Sequence, residues 1–449
     1  MAVLNPASEE VIANAPCADE AQLNSAVSAA HRAYSTWSAR CMAERSELLR
    51  ELASRLESRL MEFAKLLTQE QGMPLTRSCA EIKEAIKRIR YFALFDLAPR
   101  VLKDDDSRRI IEQRTPLGVV AAITPWNVPI LLLINKLAPS LVTGNTLVIK
   151  PAPTTPLTTL LLGEVCADIF PAGVVNVITG RNELGASLTS HSHVAKIAFT
   201  GSTATGKKVM ESAAGTLKRL ELELGGNDPA IVLDDVDPAE IAPKIFAGAM
   251  GNSGQICFAI KRVYVHECIY DRMCEELGAL ARKAVVGNGL DERTEFGPLQ
   301  NKSQFDRVRG LIEDARKNGT IVGEGKLPPG PGYFVAPTIV RDIADDSPLV
   351  QEEQFGPVLP ILKYTNLEDA VARANATPFG LGATVWSADL DRATHVAGRI
   401  ESGSVWINQV PAPNVDAPFG GAKQSGFGVE LSSRGLEECT QLHVIHIAK

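Results

Sequence analysis

Asn252-Ser253-Gly254-Gln255-Ile256-Cys257-Phe258 reads as a turn that delivers one cysteine to the start of an apolar, strand-like run, Val263–Val265. Gly254 lets the backbone bend or come close to another group. A cysteine placed this way is presented at the end of an element, not packed along a helix face. A thiol is a good nucleophile, but only a few per cent of a free one is ionised near neutral pH, so its surroundings must activate it. Most free cysteines are simply small buried hydrophobes. The rest of the chain has to separate the two readings for Cys257.

On both sides of this turn the texture is α/β. Upstream, the short apolar runs Val119–Ile123, Thr146–Ile149, Val174–Ile178, Val194–Phe199 and Leu220–Leu224 alternate with helical patterns such as Leu157–Ile169. Downstream, Val263–Val265, a helix through Met273 and Leu280, Ile339–Val340, Val358–Leu362, Gly382–Val385 and Ser404–Ile407 continue the alternation. Such alternation predicts parallel sheets covered on both faces. The N-terminal third reads as helix: Leu23, Val27, Ala30 and Tyr34 share one face, as do Leu49, Leu52, Leu56, Leu60 and Phe63, with Gly72 and Pro74 as the stop. Lys103–Arg109 reads as a solvated turn or edge, and Leu327–Gly332 as a surface turn.

A chain of 449 residues, 45% hydrophobic, implies two or three domains with sizeable cores. The net charge of −7 offers no basic face for nucleic acid. Eight scattered cysteines form no CxxC pair, and seven histidines form no zinc-like cluster, so no metal site is expected and a reducing cytoplasm fits best. Met1–Pro6 lacks a signal-peptide pattern, and the longest apolar run, Val128–Leu133, is too short to span a membrane.

Four further motifs carry chemistry. Thr124-Pro125-Trp126-Asn127-Val128-Pro129 follows a strand, where ligands sit in open α/β sheets, and Asn127 brings an amide donor. Phe199-Thr200-Gly201-Ser202 opens a helix whose N-terminus suits a phosphate. Glu221-Leu222-Glu223-Leu224-Gly225-Gly226 puts two carboxylates on one face of a strand end. Glu352-Glu353-Gln354-Phe355-Gly356-Pro357 sets two acids and an aromatic ahead of a tight turn.

Taken together with Gly-Gln-x-Cys, and with the late Pro418-Phe419-Gly420-Gly421 and Ser425-Gly426, these motifs resemble the aldehyde dehydrogenase superfamily in order and spacing, from about Asn5 onward. The resemblance implies a Rossmann-like cofactor domain (1–97 and 117–224), a second α/β catalytic domain (225–439) and a small β oligomerisation arm (98–116 and 440–449). It implies Cys257 as nucleophile, Asn127 and the Cys257 amide as oxyanion donors, and Glu223 as the base that hydrolyses a thioester. Lys136 and Glu430 match a pair near the proton route. Thr124, Pro125, Thr200, Gly201, Ser202 and Gly225 match the cofactor site, with Ser202 at the pyrophosphate. Trp126 and Lys150 fall to the adenosine side, and Glu353 to the nicotinamide ribose with Phe355 nearby. The implied reaction is NAD-dependent oxidation of an aldehyde to an acid by a homodimer or homotetramer. The rivals are a CoA-acylating relative, which usually lacks the carboxylate matching Glu223, and a catalytically idle structural member.

Two departures stand out. The family's strand or two ahead of Asn5-Pro6 is missing, so either a bare N-terminal edge or a shortened sequence is expected. Pro153 stands three residues after Lys150, where many NAD-preferring members carry Glu, so NADP is also expected to be used. By position, Val128, Leu131, Asn135, Ile256, Phe258, Val410 and Phe419 should meet the substrate. With no Lys or Arg among them, a medium-length aliphatic or an aromatic aldehyde is expected over a carboxylated one.

Overall fold

The computed structural model describes all 449 residues. A hairpin, β1 (Ala2–Leu4) and β2 (Val11–Asn14), opens the chain as a two-stranded sheet of its own, with Asn5 and Pro6 at its turn. The Pro6 carbonyl accepts from the Tyr333 amide at 2.9 Å, so this end is pinned to the distal half of the molecule and not left bare. Helix α1 (Glu20–Ser38) starts with a capping box between Asp19 and Gln22 and buries Leu23, Val27 and Ala30. The single helical pattern expected from Leu49 to Phe63 is two helices, α2 (Met42–Ser58) and α3 (Leu60–Gln71). The chain breaks at Arg59, whose guanidinium is held by Glu62 and Glu164. The break lets Phe63 and Leu67 join Leu49, Leu52 and Leu56 in one core. Gly72 ends α3 at φ +98°, wedged where a Cβ would lie 2.8 Å from the rings of both Pro298 and Pro6. Helix α4 (Leu75–Phe92) follows Pro74.

After the hairpin β3 (Arg100–Asp104) and β4 (Arg108–Pro116), the α/β alternation begins. It runs β5 (Val119–Ile123), α5 (Pro129–Val142), β6 (Thr146–Lys150), α6 (Leu157–Ile169), β7 (Val175–Val177), α7 (Asn182–Ser190), β8 (Val194–Thr200), α8 (Thr203–Ala214) and β9 (Arg219–Glu223). These strands are parallel in the order β9-β8-β5-β6-β7. The chain winds one way from β5 to β7 and the other way through β8 and β9. That reversal opens a crevice at the carboxyl ends of β5 and β8, where open α/β sheets bind ligands. Helices α2–α6 pack one face, and α1, α7 and α8 the other.

The distal half runs β10 (Asp228–Val232), α9 (Pro238–Met250), β11 (Ile260–His266), α10 (Glu267–Lys283), α11 (Lys302–Asn318), β12 (Thr320–Glu324), β13 (Thr338–Arg341), α12 (Pro348–Gln351), β14 (Val358–Tyr364), α13 (Leu367–Asn375), β15 (Phe379–Gly380), β16 (Gly382–Trp386), α14 (Leu390–Ala397) and β17 (Ser404–Ile407). Seven strands form one sheet, β12-β13-β14-β11-β10-β16-β17, parallel except for β12. The chain returns through β18 (Ala422–Lys423), β19 (Gly426–Phe427), which pairs with β9, and α15 (Ser432–Glu437). The last strand, β20 (Thr440–Ala448), pairs antiparallel with β4 along its whole length in a three-stranded sheet, β20-β4-β3. No helix is long and apolar enough to cross a membrane.

Two buried carboxylates from the N-terminal helices cap the helices of the first sheet. Glu70 accepts from the Leu157 and Thr158 amides at the start of α6, and Glu81 accepts from those of Ile130 and Leu131 at the start of α5. Free first-turn N–H groups and the positive helix end favour a carboxylate there. Burial nevertheless pushes Glu81 up from 4.5 to about 7, against those hydrogen bonds and Arg77. With a folded value above the unfolded one, the stability contributed by protonated Glu81 is complete below about pH 4.5 and is lost as pH rises through 7. One Glu81 oxygen takes both amides and the other has no partner, so Glu81→Gln keeps the cap and removes the titration. The variant should gain on the wild type between about pH 5 and about pH 8, by on the order of 2 kcal/mol. The urea midpoints of the two proteins across that range measure it; a pH-independent gap would mean that Glu81 does not titrate there.

Candidate active site

The turn ahead of Cys257 is built from three successive left-handed residues at the end of α9: Asn252 (φ 52°), Ser253 (φ 54°) and Gly254 (φ 74°). Gly254 is obligatory, since a Cβ would lie 2.2 Å from the Gly356 carbonyl oxygen. Ser253 donates to the Gly297 carbonyl at 2.8 Å, which holds its unfavourable backbone. Two amides tie this turn to the first sheet. Asn252 Nδ2 donates to the Asn127 carbonyl at 3.0 Å, and Asn127 Nδ2 donates to the Gln255 carbonyl at 2.9 Å. Gln255 is buried and clamps the turn in both directions, donating to the Asn252 carbonyl and accepting from the Gln300 amide.

Beneath the cysteine lies Lys261, a fully buried cation that sequence reasoning missed. Its Nζ donates to the carbonyls of Cys257 (2.6 Å), Ile256 (2.9 Å) and Ala259 (3.3 Å), and lies 3.9 Å from Glu353. Burial pushes the Cys257 thiol well up; Lys261 pulls it down, while Glu223, Glu353 and Asp228 add to the rise. The resting thiol is therefore protonated at neutral pH.

Glu223 ends β9 with both carboxylate oxygens buried and without a partner. Burial raises it well above 4.5, the Glu430 charge adds to this, and Lys136 opposes it. Lys136 itself is committed elsewhere, to an ion pair with Glu430 and to the Thr200 hydroxyl at 2.7 Å. Glu430 also accepts from Asn135 at 2.7 Å; although burial works against its charge, these partners hold it below 4.5. Glu221 lies on the same face as Glu223, as strand alternation requires, and is paired with Lys196.

Cys257, Asn127, Glu223 and Glu430 share one cavity of about 310 Å³. Val128, Leu131, Asn135, Ile256, Phe258 and Phe419 line it as expected. Val410 does not; it lies in the outer cleft of about 910 Å³ that leads in. The seven residues expected there include no Lys or Arg, but α4 adds Arg77, Glu81, Glu84 and Arg88 to the lining. Their spacing, i, i+4, i+7 and i+11, marks one helix face, which in sequence reads as a solvated charged face.

A second crevice of about 190 Å³ lies at the carboxyl ends of β5 and β8. Pro125, Trp126, Thr200, Gly201, Ser202, Gly225, Glu353 and Phe355 line it, and it reaches Asn127 and Cys257. Ser202 is the N-cap of α8, and Glu353 accepts from the Gly226 amide. A Cβ on Gly225 would lie 2.3 Å from Glu353, and one on Gly201 would lie 2.5 Å from the Phe199 ring. The crevice is thus a close cradle opening on a helix N-terminus, which fits a dinucleotide pyrophosphate. Trp126 stands edge-on to Phe355 at 5.3 Å, and both rings line this crevice with Glu353. Lys150 and Pro153 lie beyond this crevice; the Lys150 ammonium is buried beside the Pro151 carbonyl, where burial lowers it against the pull of Glu183. Thr124 is buried behind the crevice, its amide bonded to the Lys150 carbonyl.

The profile described as "Aldehyde dehydrogenase family" matches residues 1–445. The chain belongs to the aldehyde dehydrogenase family. It is 40% identical over 456 residues to retinaldehyde dehydrogenase 3 of Rattus norvegicus, covering 99% of this chain and 89% of that protein. The NAD+ complex of an aldehyde dehydrogenase from Bacillus cereus superposes with a TM-score of 0.97 at 36% identity, covering 100% of this chain and 93% of that one. An NADP-dependent enzyme of Escherichia coli superposes with a TM-score of 0.96 at 37% identity, covering 100% and 94%. The α/β fold with its parallel sheets is thus the one the resemblance implied.

Proposed function

We propose that this enzyme oxidises an aldehyde to the carboxylic acid with NAD as cofactor, through a thioester on Cys257. One observation carries the reading: Cys257 and Asn127 line both cavities at once, and Glu223 faces them from the substrate side. The Cys257 sulfur attacks the carbonyl carbon, and its proton passes to solvent, which leaves Glu223 free for the later step. The oxyanion is met by the Asn127 amide and the Cys257 N–H. Only one Asn127 N–H is engaged, with Gln255, so the other is free to donate. Such a donor is worth ~10²–10³ in rate. When bound, the nicotinamide supplies the hydride acceptor, and the carbon is left as a thioester. Ser202 and the α8 N-terminus would hold the pyrophosphate, and Glu353 the ribose, leaving the reacting ring at Cys257. Water then attacks the thioester while Glu223 takes its proton, and the Cys257 sulfur leaves.

Hydrolysis is favoured over acyl transfer to CoA because Glu223 is a buried, unpartnered base with no structural bond to satisfy. Burial raises the proton affinity of this carboxyl, which strengthens it as a base once ionised. Residues 1–97 and 117–224 form the cofactor domain on this reading, and 225–439 the catalytic domain. The β20-β4-β3 sheet exposes Val101, Leu102, Leu442, Val444 and Ile447, apolar surface that a second copy would cover.

Cys257→Ala should abolish turnover but keep cofactor binding. Glu223→Gln should give a rapid burst of reduced cofactor, near one equivalent per site, and then slow turnover with the acyl group trapped on Cys257. Stopped-flow absorbance with intact-protein mass spectrometry reads both; a variant with neither burst nor adduct takes Glu223 out of deacylation. NADP should serve as well, since no carboxylate at Pro153 repels a 2′-phosphate. Pro153→Glu should raise the NAD/NADP ratio of kcat/KM, and an unchanged ratio would place discrimination elsewhere. Light scattering should give a dimer or tetramer; a monomer mass at micromolar concentration would refute the pairing of the arm.

A further inference from the structure

The outer cleft and the inner cavity meet at α4, and their charges do not balance there. Arg77, Lys87 and Arg88 line the outer cleft, and Glu84 is its one carboxylate. Glu84 is shared between Lys87 at 3.5 Å and Arg88 at 3.3 Å. Arg88 is further bound to Asn135 at 2.6 Å. Glu81, the nearest acid to Arg77 on the helix, is turned inward, where its charge is already met by the first-turn amides of α5. Arg77 is left exposed, with no ion pair of its own, and lines both the cleft and the inner cavity. It is anchored against the nucleophile turn: a Cβ built on Gly251 would lie 3.0 Å from Arg77 Nη2 and 3.4 Å from Ile256 Cδ1. Ile256 directly precedes Cys257, so this guanidinium packs against the turn that carries the nucleophile, and it lines the inner cavity together with Cys257. Ile256, Phe258 and Phe419 give the cavity an apolar wall, while Glu84 and Arg88, which also line it, are paired with each other.

We propose that Arg77 is the specificity-determining residue of this pocket, and that the substrate is an aldehyde carrying an anionic group, a carboxylate, at the end remote from its carbonyl. The inference rests on the aldehyde-oxidising reading of Cys257. A guanidinium presents paired donors that match a carboxylate's two oxygens. The apolar wall of Ile256, Phe258 and Phe419 can hold the spacer between the carboxylate and the carbonyl. The net positive cleft also draws anions in, an effect that salt weakens.

The test compares 4-formylbenzoate with its neutral isostere 4-formylbenzamide, and succinic semialdehyde with butanal, in the wild type, Arg77→Gln and Arg77→Lys. In the wild type, kcat/KM should favour the carboxylated member of each pair by about ten-fold or more. The preference should sit mainly in KM, and should shrink with added potassium chloride for the anions alone. In Arg77→Gln the ratio should collapse toward one, and Arg77→Lys should restore part of it. A wild-type ratio at or below one, or a ratio unchanged in Arg77→Gln, overturns the proposal while leaving the aldehyde-oxidising reading intact. Failure to reduce cofactor with any of the four aldehydes overturns both.

Discussion

Two amide hydrogen bonds hold the site together, and they run in opposite directions. Asn127 stands at the end of β5, in the first sheet, whereas the cysteine turn grows out of α9, in the second half. Asn252 donates to the Asn127 backbone, and Asn127 donates back to the Gln255 backbone. The proposed oxyanion donor and nucleophile therefore cannot shift independently, although they come from different layers. Acyl chemistry tolerates little misplacement of these groups, about an ångström being enough to lose ~10² in rate. The three left-handed residues in the turn are strained for any residue but glycine, at roughly 1–3 kcal/mol each. The fold over-determines them through Ser253, Gln255 and the close pass of Gly254 over the Gly356 carbonyl.

The second constraint is charge in a dry place. Lys196, Glu221, Lys136 and Glu430 form a buried alternating row, each carboxylate matched by an ammonium. Glu223 stands beside this row and is excluded from it, because Lys136 spends its donors on Glu430 and Thr200. A buried charge without a partner is disfavoured by several kcal/mol, so Glu223 has a high proton affinity, and its ionised form is the one that takes a proton from water. On the other side of Cys257, Lys261 spends its donors on three backbone carbonyls, fixing the loop's shape while placing a positive charge under the sulfur. Two lysines at similar depth thus do different things: one neutralises a carboxylate, and the other stiffens a turn.

The fold was largely legible because hydrophobic runs report sheets directly; ten apolar runs expected as strands are strands, and Leu157–Ile169 is a helix with those bounds. The strand β10 went unread because it opens with Asp228-Pro229, and proline signals a turn; here its register slips at that step and the strand lies at the centre of the second sheet. The break at Arg59 was invisible because the apolar spacing carries straight through it. At the site, the motifs named residues that converge on two adjoining cavities, since each sits at a strand end or a turn, where composition is distinctive. Lys261 and the face of α4 carry no such mark. A lysine inside a strand and charges at helical spacing look like solvated surface until the packing shows what covers them.

The α4 helix shows why those silent residues matter most for selectivity. Its Glu81 caps the first turn of α5, the helix that begins immediately after Asn127 and Val128. Four residues earlier on the same helix, Arg77 stands against the wall that leads to Cys257. Seven residues after Glu81, Arg88 holds Asn135, which in turn holds Glu430. One rigid element thus touches the oxyanion donor's helix, the mouth of the substrate cavity and the charge row behind Glu223. A change on this face that altered the substrate's distal contact without moving the cap or Asn135 would leave the reacting centre in place. Arg77 meets that condition, because its guanidinium makes neither an ion pair nor a hydrogen bond within the chain, whereas Glu81 caps α5 and Glu84 and Arg88 are paired. Glu81, Glu84 and Arg88 do not meet it, since each is bonded to something the chemistry needs or to a partner that is. The helix therefore separates what can vary from what cannot by which side chains it leaves unbonded.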